Sequence, residues 1–243
     1  MSSSLCLQLY YQPKINVNAN EIVGYEILLR NKDHPPYYPA AKMEKIYHNR
    51  EKHSHFLMWL KQELTRVLLE YPSNSLSVNF SPRQLLYPET RQFFSEMSRF
   101  SDQLIVEITE DPILLDITEE ISGKSIEESI IAALAFIKKK GYEIALDDVG
   151  TGQNSFERAL EYVPYLSQIK FSIVKCLKYN ASLEMIAYFL KAWHQFAREN
   201  HLDIVIEGIE DQETSKKLVE KGMLLQQGYY FGKPAAESIL QSS

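Results

Sequence analysis

Residues 125–150 read SIEESIIAALAFIKKKGYEIALDDVG, and this stretch decides the fold class. Ser125 and Glu128 form a capping box, in which each side chain can accept a hydrogen bond from the other residue's free backbone N–H. Apolar residues then recur at helical spacing, and lysines followed by Gly141 end the helix. The apolar run of residues 143–149 follows at once, so the stretch is a helix–strand unit typical of α/β proteins.

The same alternation extends outward over the whole chain. Strands are predicted at residues 5–15, 22–29, 76–80, 104–108, 143–149, 168–171, 203–206 and 224–229. Helical segments between most of them, including 43–70 and 211–221, predict a parallel sheet that is either closed into a (β/α)8 barrel or left open and doubly wound. Residues 16–21 are too few for a crossover helix, so the first two strands should be antiparallel, which favours an imperfect barrel.

Composition narrows the class of protein. The chain has 243 residues and a net charge of −6, and we find no linker, so we expect one domain over residues 1–243. The acidic balance argues against a DNA or RNA polymer as partner. No apolar run approaches the roughly 18–20 residues needed to span a membrane, and the N-terminus does not resemble a signal peptide. With two cysteines, a cytoplasmic location without membrane attachment is the expectation.

The informative residues are polar side chains within or directly after seven apolar strands. They are Glu26, Asn79, Glu107, Asp147, Asp148, Lys170, Glu207 and Gln227. Each lies at or near the C-terminal end of its strand. In a (β/α)8 barrel these ends converge on one mouth, where the active site lies. We therefore expect these eight side chains to meet.

Five carboxylates at one mouth would raise each other's pKa, and one lysine is not enough to compensate them. Mg²⁺ or Mn²⁺ would suit a set of carboxylate and amide oxygens. The pair Asp147 and Asp148 would let one carboxylate bridge two ions. Two ions roughly 3.5–4 Å apart are the usual apparatus for attack on a phosphodiester.

Taken singly, each of these residues has a simpler interpretation. A lone glutamate in a strand commonly faces solvent, Lys170 could form a surface ion pair, and Asn79 could belong to a turn. The recurrence on seven strands favours the functional interpretation. His53 and His55 are different, because they point to different faces of a predicted helix, and we expect both to be solvated.

Six sequence blocks resemble one known family, the EAL-domain cyclic di-GMP phosphodiesterases. The blocks are EILLR at 26–30, NFSP at 79–82, EITE at 107–110, DDVGTG at 147–152, EGIE at 207–210 and QGY at 227–229. They follow the family order, between YQP at 11–13 and FGKP at 231–234. Ile27 stands where the family motif usually has Ala.

The resemblance implies a modified (β/α)8 barrel with an antiparallel first strand, and hydrolysis of cyclic di-GMP to linear pGpG with two Mg²⁺ or Mn²⁺ ions. It assigns the first ion to Glu26, Asn79, Glu107 and Asp147. It assigns the second ion to Asp147 and Asp148, with Glu207 contacting its water ligands.

The resemblance also implies roles for the remaining site residues. Lys170 would position the attacking water, and Glu110 would brace the loop 147–152. The substrate would contact Gln12, Arg30 and Gln227. Family members commonly dimerise near that loop and the following helix, so a homodimer is expected.

The chain departs from the family at Ser172, where Asp is usual, and at Val149, where Phe is usual. Because Ser172 removes a carboxylate near the site, a domain that binds cyclic di-GMP or a protein partner without turnover is the main alternative function. An unrelated two-metal nuclease is disfavoured by the acidic charge.

Overall fold

The structure is a computed structural model that describes residues 5–32, 37–112, 125–178 and 180–242. Eight strands form one closed barrel in chain order. They are β1 (Leu7–Asn16), β2 (Glu21–Asn31), β3 (Leu76–Phe80), β4 (Leu104–Ile108), β5 (Glu143–Leu146), β6 (Gln168–Ser172), β7 (Asp203–Glu207) and β8 (Leu225–Gln227). The closed barrel is therefore the correct choice between the two predicted architectures.

The first strand has the predicted antiparallel orientation. It pairs with β2 in a register that places Gln12 opposite Glu26, and with β8 in a register that places Lys14 opposite Gln227. The remaining neighbours, from β2 to β8, are parallel. The C-terminal ends of seven strands thus lie at one mouth of the barrel. β1 runs in the opposite direction to these strands.

The helices cover the outside of the barrel. They are α1 (Ala40–Tyr47), α2 (Arg50–Glu70), α3 (Pro82–Leu85), α4 (Pro88–Glu96), α5 (Ile126–Lys139), α6 (Phe156–Tyr162), α7 (Ile173–Lys178), α8 (Leu183–Glu199) and α9 (Gln212–Val219). The capping box at α5 is confirmed, because Glu128 N donates to Ser125 Oγ at 3.1 Å and Ser125 N donates to Glu128 Oε2 at 2.8 Å. The helical stretch 43–70 is divided, since α1 ends at Tyr47 and the extended Asn49 caps α2.

Strand alternation separates an apolar outer layer from a polar interior. Ile169 and Phe171 belong to the hydrophobic core that packs between barrel and helices, whereas Lys170 between them points into the barrel. The same pattern holds for Val106 and Ile108 on either side of Glu107. The sheet thereby carries its charged side chains into the barrel without breaking the surrounding core.

The prediction that both histidines are solvated was wrong for His53. His53 is fully buried on α2, where its Nε2 lies 3.2 Å from Gln84 Nε2 and its ring packs against Tyr87. It shares the inward face of α2 with Phe56 and Leu60. His55, two residues on, lies on the exposed face as predicted.

Across the described ranges, no helix combines the length and the apolar character required to traverse a bilayer.

Candidate active site at the barrel mouth

Lys170 lies at the centre of the mouth and contacts carboxylates from four strands. Its Nζ is 2.6 Å from Glu107 Oε2, 2.6 Å from Glu207 Oε1, 3.1 Å from Asp147 Oδ1 and 3.3 Å from Glu26 Oε2. The Lys170 side chain is 1% exposed and that of Glu107 is fully buried. Acidic residues up to 181 positions apart in the sequence therefore meet at one point, as the strand ends predict.

Amide side chains hold both carboxylate oxygens of Glu26, one of which also contacts Lys170. Asn79 Nδ2 donates to Glu26 Oε1 at 2.9 Å, and Gln227 Nε2 donates to Glu26 Oε2 at 2.7 Å. Gln227 Nε2 also lies 3.4 Å from Gln12 Oε1, and Gln12 Nε2 donates to the carbonyl of Gly232 at 3.1 Å. These contacts join β1, β2, β3 and β8 into one polar wall.

A second buried lysine, Lys14, lies deeper in the barrel. Its Nζ contacts Ser77 Oγ and lies 3.4 Å from Glu107 Oε1, so each carboxylate oxygen of Glu107 faces one ammonium group. Burial alone would raise the pKa of Glu107, but Lys170 and Lys14 together outweigh it and hold the pKa below its usual value. Glu107 is thus kept ionised at the bottom of the site.

The loop 147–152 is fixed by hydrogen bonds to both neighbouring strands, β4 and β6. Asp148 has a φ of +49°, a strained conformation for a residue with a side chain. Val149 N donates to the carbonyl of Lys170 at 2.9 Å, which ties the loop to β6. The buried amide of Asn154 donates to the carbonyls of Ile108 and Asp147, at 3.2 and 2.5 Å. The two aspartates are therefore held at the strand ends by a rigid turn.

Glu110 lies beside this loop, where the sequence prediction put it. Its backbone carbonyl accepts a hydrogen bond from Gln153 N at 3.1 Å, and its side chain fills the space next to Gly152. The Glu110 carboxylate contacts Lys175 Nζ, which also contacts Asp148 Oδ2. Lys175 comes from α7, directly after β6.

In contrast to Glu107, three carboxyl groups of the site, those of Asp147, Asp148 and Glu207, have a raised pKa, mainly because they are buried. Burial raises the pKa of Asp147 well above its usual value, and Glu207 and Asp148 add to the effect against Lys170. The pKa of Glu207 is raised to about 7, because burial outweighs the opposing charge of Lys170. Burial would lower the pKa of Lys170, but the surrounding carboxylates raise it well above the usual value, so this lysine stays charged.

The donor set fits divalent cations. Three lysines face six carboxylates here, and buried oxygens of Asn79 and Asp148 (Oδ1 in each) accept no hydrogen bond from any described residue. Glu110, Asp147 and Asp148 each present a ligand atom, and these atoms lie within 4.8 Å of one another. Unpartnered carboxylate and amide oxygens are the ligands that Mg²⁺ and Mn²⁺ prefer.

A cavity of about 250 Å³ opens beside the acidic centre. Its lining combines the polar side chains of Glu26, Asn79 and the two aspartates with aromatic and apolar ones, including Tyr38 and Tyr47. Arg30 lies at the edge of the mouth, with its Nη1 donating to its neighbour's carbonyl at 2.9 Å and its guanidinium 5.9 Å from the centre of the Tyr10 ring. The three residues predicted to bind substrate lie near Glu26 rather than in the lining of this cavity: Gln227 contacts Glu26 and Gln12, and Arg30 lies near Glu26 and Tyr229.

Sequence reasoning did not single out Lys14, Lys175 or Trp193. Lys14 could have been found, because it lies two residues after Gln12 in the same strand and so shares its face. Lys175 carried no such signal, because its partners come from two loops that only the fold brings together.

Comparison with known proteins agrees with this geometry. The EAL domain family profile matches residues 4–234. The chain belongs to the EAL domain family. The structure also resembles the EAL domain protein of Listeria monocytogenes EGD-e, with a TM-score of 0.70 and 22% identity over 98% of this chain and 92% of that one. This likeness confirms the barrel fold, in which the first strand of this chain is antiparallel to the second.

Curated EAL relatives are longer proteins. The probable cyclic di-GMP phosphodiesterase PdeD of Escherichia coli is 26% identical over 93% of this chain and 41% of its own length. The cyclic di-GMP phosphodiesterase RocR of Pseudomonas aeruginosa is 28% identical over 95% of this chain and 58% of its own length. This chain therefore spans about half the length of such relatives. A manganese and cyclic di-GMP complex of Klebsiella pneumoniae BlrP1 shares the fold, with a TM-score of 0.75, 18% identity, and coverage of 98% of this chain and 58% of that one.

Proposed function

We propose that this domain hydrolyses cyclic di-GMP to linear pGpG with two divalent cations. The observation that carries the proposal is the convergence of Glu26, Glu107, Asp147 and Glu207 on Lys170 at the barrel mouth. The names of relatives such as RocR and the cyclic dinucleotide in the BlrP1 complex support the choice of substrate.

Two groups of residues would hold the cations. Glu26, Asn79, Glu107 and Asp147 would bind the first ion, and Asp147 with Asp148 would bind the second, with Glu207 beside it. When bound, the cations neutralise the phosphate and activate a water for attack on phosphorus. Mg²⁺ and Mn²⁺ both suit this donor set.

Lys170 and Glu207 would position the attacking water. The Lys170 ammonium is a hydrogen-bond donor that keeps its proton, so it orients the water rather than deprotonating it. Glu207 Oε1 lies 2.6 Å from Lys170 Nζ and can accept the hydrogen bond that the same water donates. A donor and an acceptor side by side fix one orientation of the water toward the phosphodiester.

The rim would bind the rest of the nucleotide. Arg30 lies half-buried near Glu26 and Tyr229, where its guanidinium can pair with a phosphate. Gln12 and Gln227 present amide groups that can bind the base. Glu110, through its contact with Gln153, would keep the loop 147–152 in place while the substrate binds.

One assay tests the proposed activity. Purified protein is incubated with cyclic di-GMP and Mg²⁺ or Mn²⁺, and pGpG is followed by chromatography. We expect turnover that EDTA abolishes, that added cation restores, and that Glu26→Ala removes. Glu51→Ala, an exposed glutamate on α2, is the matched control and should keep full activity. Absence of turnover in the wild type with saturating cation would refute the proposal.

The second candidate is binding without turnover, which Ser172 favours because it supplies no carboxylate beside Glu207. Calorimetric titration with cyclic di-GMP in Ca²⁺ separates the two functions. Binding together with absent hydrolysis in Mg²⁺ and Mn²⁺ would establish this alternative.

We also propose a homodimer through the face formed by α6, α7 and α8. Phe156 of α6 packs on Trp193 and Phe196 of α8, and this face exposes a set of large apolar side chains. The set is Phe156, Leu160, Val174, Leu177, Leu183, Met185, Tyr188 and Phe189. Sedimentation equilibrium should show a dimer that Tyr188→Glu converts to a monomer, whereas a monomeric wild type would exclude it.

A further inference from the structure

Lys175 lies over the outer half of the proposed cation centre. Its Nζ contacts Asp148 Oδ2 and Glu110 Oε1 at the same time. Its position is set by the start of α7, where Lys175 N donates to Ser172 Oγ at 3.3 Å. The lysine is thus held in place by its backbone and by two carboxylates.

The partners of Lys175 are members of the group that could hold a cation. Ligand atoms of Glu110, Asp147 and Asp148 lie within 4.8 Å of one another. Asp148 is 5% exposed, and its Oδ1 receives no hydrogen bond within the described part of the chain. A Mg²⁺ ion requires oxygens at about 2.0–2.1 Å, so an ion that used Asp148 Oδ2 and Glu110 Oε1 would overlap the ammonium.

Each half of the centre has an ammonium group among its carboxylates, and the two ammonium groups differ in exposure. Glu26 and Glu107 contact Lys170 or Lys14, and neither forms an ion pair with Lys175. The Lys175 side chain is 37% exposed, whereas that of Lys170 is 1% exposed. Lys175 can therefore move toward solvent when a cation arrives, without disturbing the first ion's ligands.

We propose that the Lys175 ammonium is a built-in competitor of the second divalent cation. It neutralises Asp148 and Glu110 at low cation concentration and must leave them before the second ion binds. This inference rests on the proposed function, because it requires two cations. It predicts that the second ion binds only at a higher cation concentration than it would without Lys175.

The test measures Mn²⁺ binding without substrate, by electron paramagnetic resonance of free Mn²⁺. We expect the wild type to bind one tight and one weak ion. Lys175→Met should tighten the weak site at least tenfold and leave the tight site unchanged. Lys175→Gln should do the same, which guards against a defect specific to methionine, and thermal unfolding should show that both variants fold.

Lys178→Met is the matched control, because it removes an exposed lysine from the same helix and the same unit of charge. It should bind Mn²⁺ like the wild type. If Lys175→Met and Lys175→Gln leave the second affinity unchanged while Glu26→Ala removes the tight site, the role of Lys175 is refuted and the proposed function stands. If the wild type binds no Mn²⁺ at all, both fail together.

Discussion

The indole Nε1 of Trp193 lies 3.0 Å from the point that a Cβ atom on Gly150 would occupy. Gly150 has a φ of +83° in the loop that carries Asp147 and Asp148, and Trp193 is a buried residue of α8. Since α8 also exposes Tyr188 and other apolar side chains, this contact connects the proposed dimer face with the cation centre. The loop is therefore supported from outside the barrel as well as from within.

Gly150→Ala should displace this loop and lower turnover of cyclic di-GMP more than tenfold, because both the φ angle and the Trp193 contact oppose a side chain. The left-handed conformation costs roughly 1–2 kcal/mol for an L-residue. Gly222→Ala is the matched control, since Gly222 has a φ of +80° but its nearest neighbour, His194 Cε1, leaves room at 3.7 Å.

Urea unfolding and the pGpG assay separate strain from positioning. Both alanine variants should lose stability through the φ angle, Gly150→Ala by somewhat more because of the Trp193 contact, and only Gly150→Ala should lose activity. Equal activity of the two variants would show that the Trp193 contact does not position the aspartates.

Lys14→Met should destabilise the protein by about 3 kcal/mol in EDTA, because it leaves Glu107 buried with one ammonium partner instead of two. Lys61→Met is the control, since Lys61 pairs with Glu96 on the surface and such pairs contribute roughly 0–1 kcal/mol. The free energies of unfolding come from urea titration at pH 7.5.

A double-mutant cycle identifies the cause of the Lys14 effect. Adding Glu107→Gln to Lys14→Met should recover part of the lost stability, since the uncompensated charge is gone. If the two losses simply add, the ion pair is not what Lys14 contributes.

Most of the fold could be predicted because its signals are local. Strand alternation and the capping box at α5 depend only on near neighbours, and the four residues between β1 and β2 allow only an antiparallel pair. The meeting of Glu26, Glu107 and Lys170 follows from barrel closure alone. What was missed depends on tertiary contact. Lys175 reaches Asp148 only because α7 begins directly at the end of β6.

The error at His53 has a different origin. Its spacing from Phe56, Leu57 and Leu60 places it on the apolar face of α2, so the helical period contained the answer. Comparing the two histidines only with each other showed that their faces differ, but not which face is inward.

Stability should fall as the pH decreases from about 6.5 toward about 4, in part because His53 is buried in its neutral form. Burial lowers the pKa of His53 to about 4, so in this range the unfolded chain takes up a proton that the folded chain does not. The full difference is about 3 kcal/mol. This loss of stability is absent above the pKa of His53 in the unfolded chain and complete below its pKa in the folded chain.

The comparison that isolates His53 is between His53→Leu and the wild type at pH 7.5 and pH 4.5. The acid-induced loss of stability should be smaller in His53→Leu, while His55→Leu, at the exposed neighbour, should behave like the wild type. Parallel pH profiles for all three proteins would contradict the assignment.

Ser172→Asp should increase the rate of pGpG formation several-fold. Ser172 lies opposite Glu207 in the β6–β7 register and caps α7 through its Oγ, and an aspartate can accept the same hydrogen bond from Lys175 N. The added carboxylate attracts divalent cations to the mouth, and about 1 kcal/mol of attraction corresponds to roughly fivefold in affinity.

Ser172→Asn, which keeps the cap without the charge, should match the wild type. The rate is measured across a Mg²⁺ titration, where Ser172→Asp should also reach half-maximal activity at lower Mg²⁺. An unchanged rate and midpoint would mean that the missing carboxylate does not limit this site.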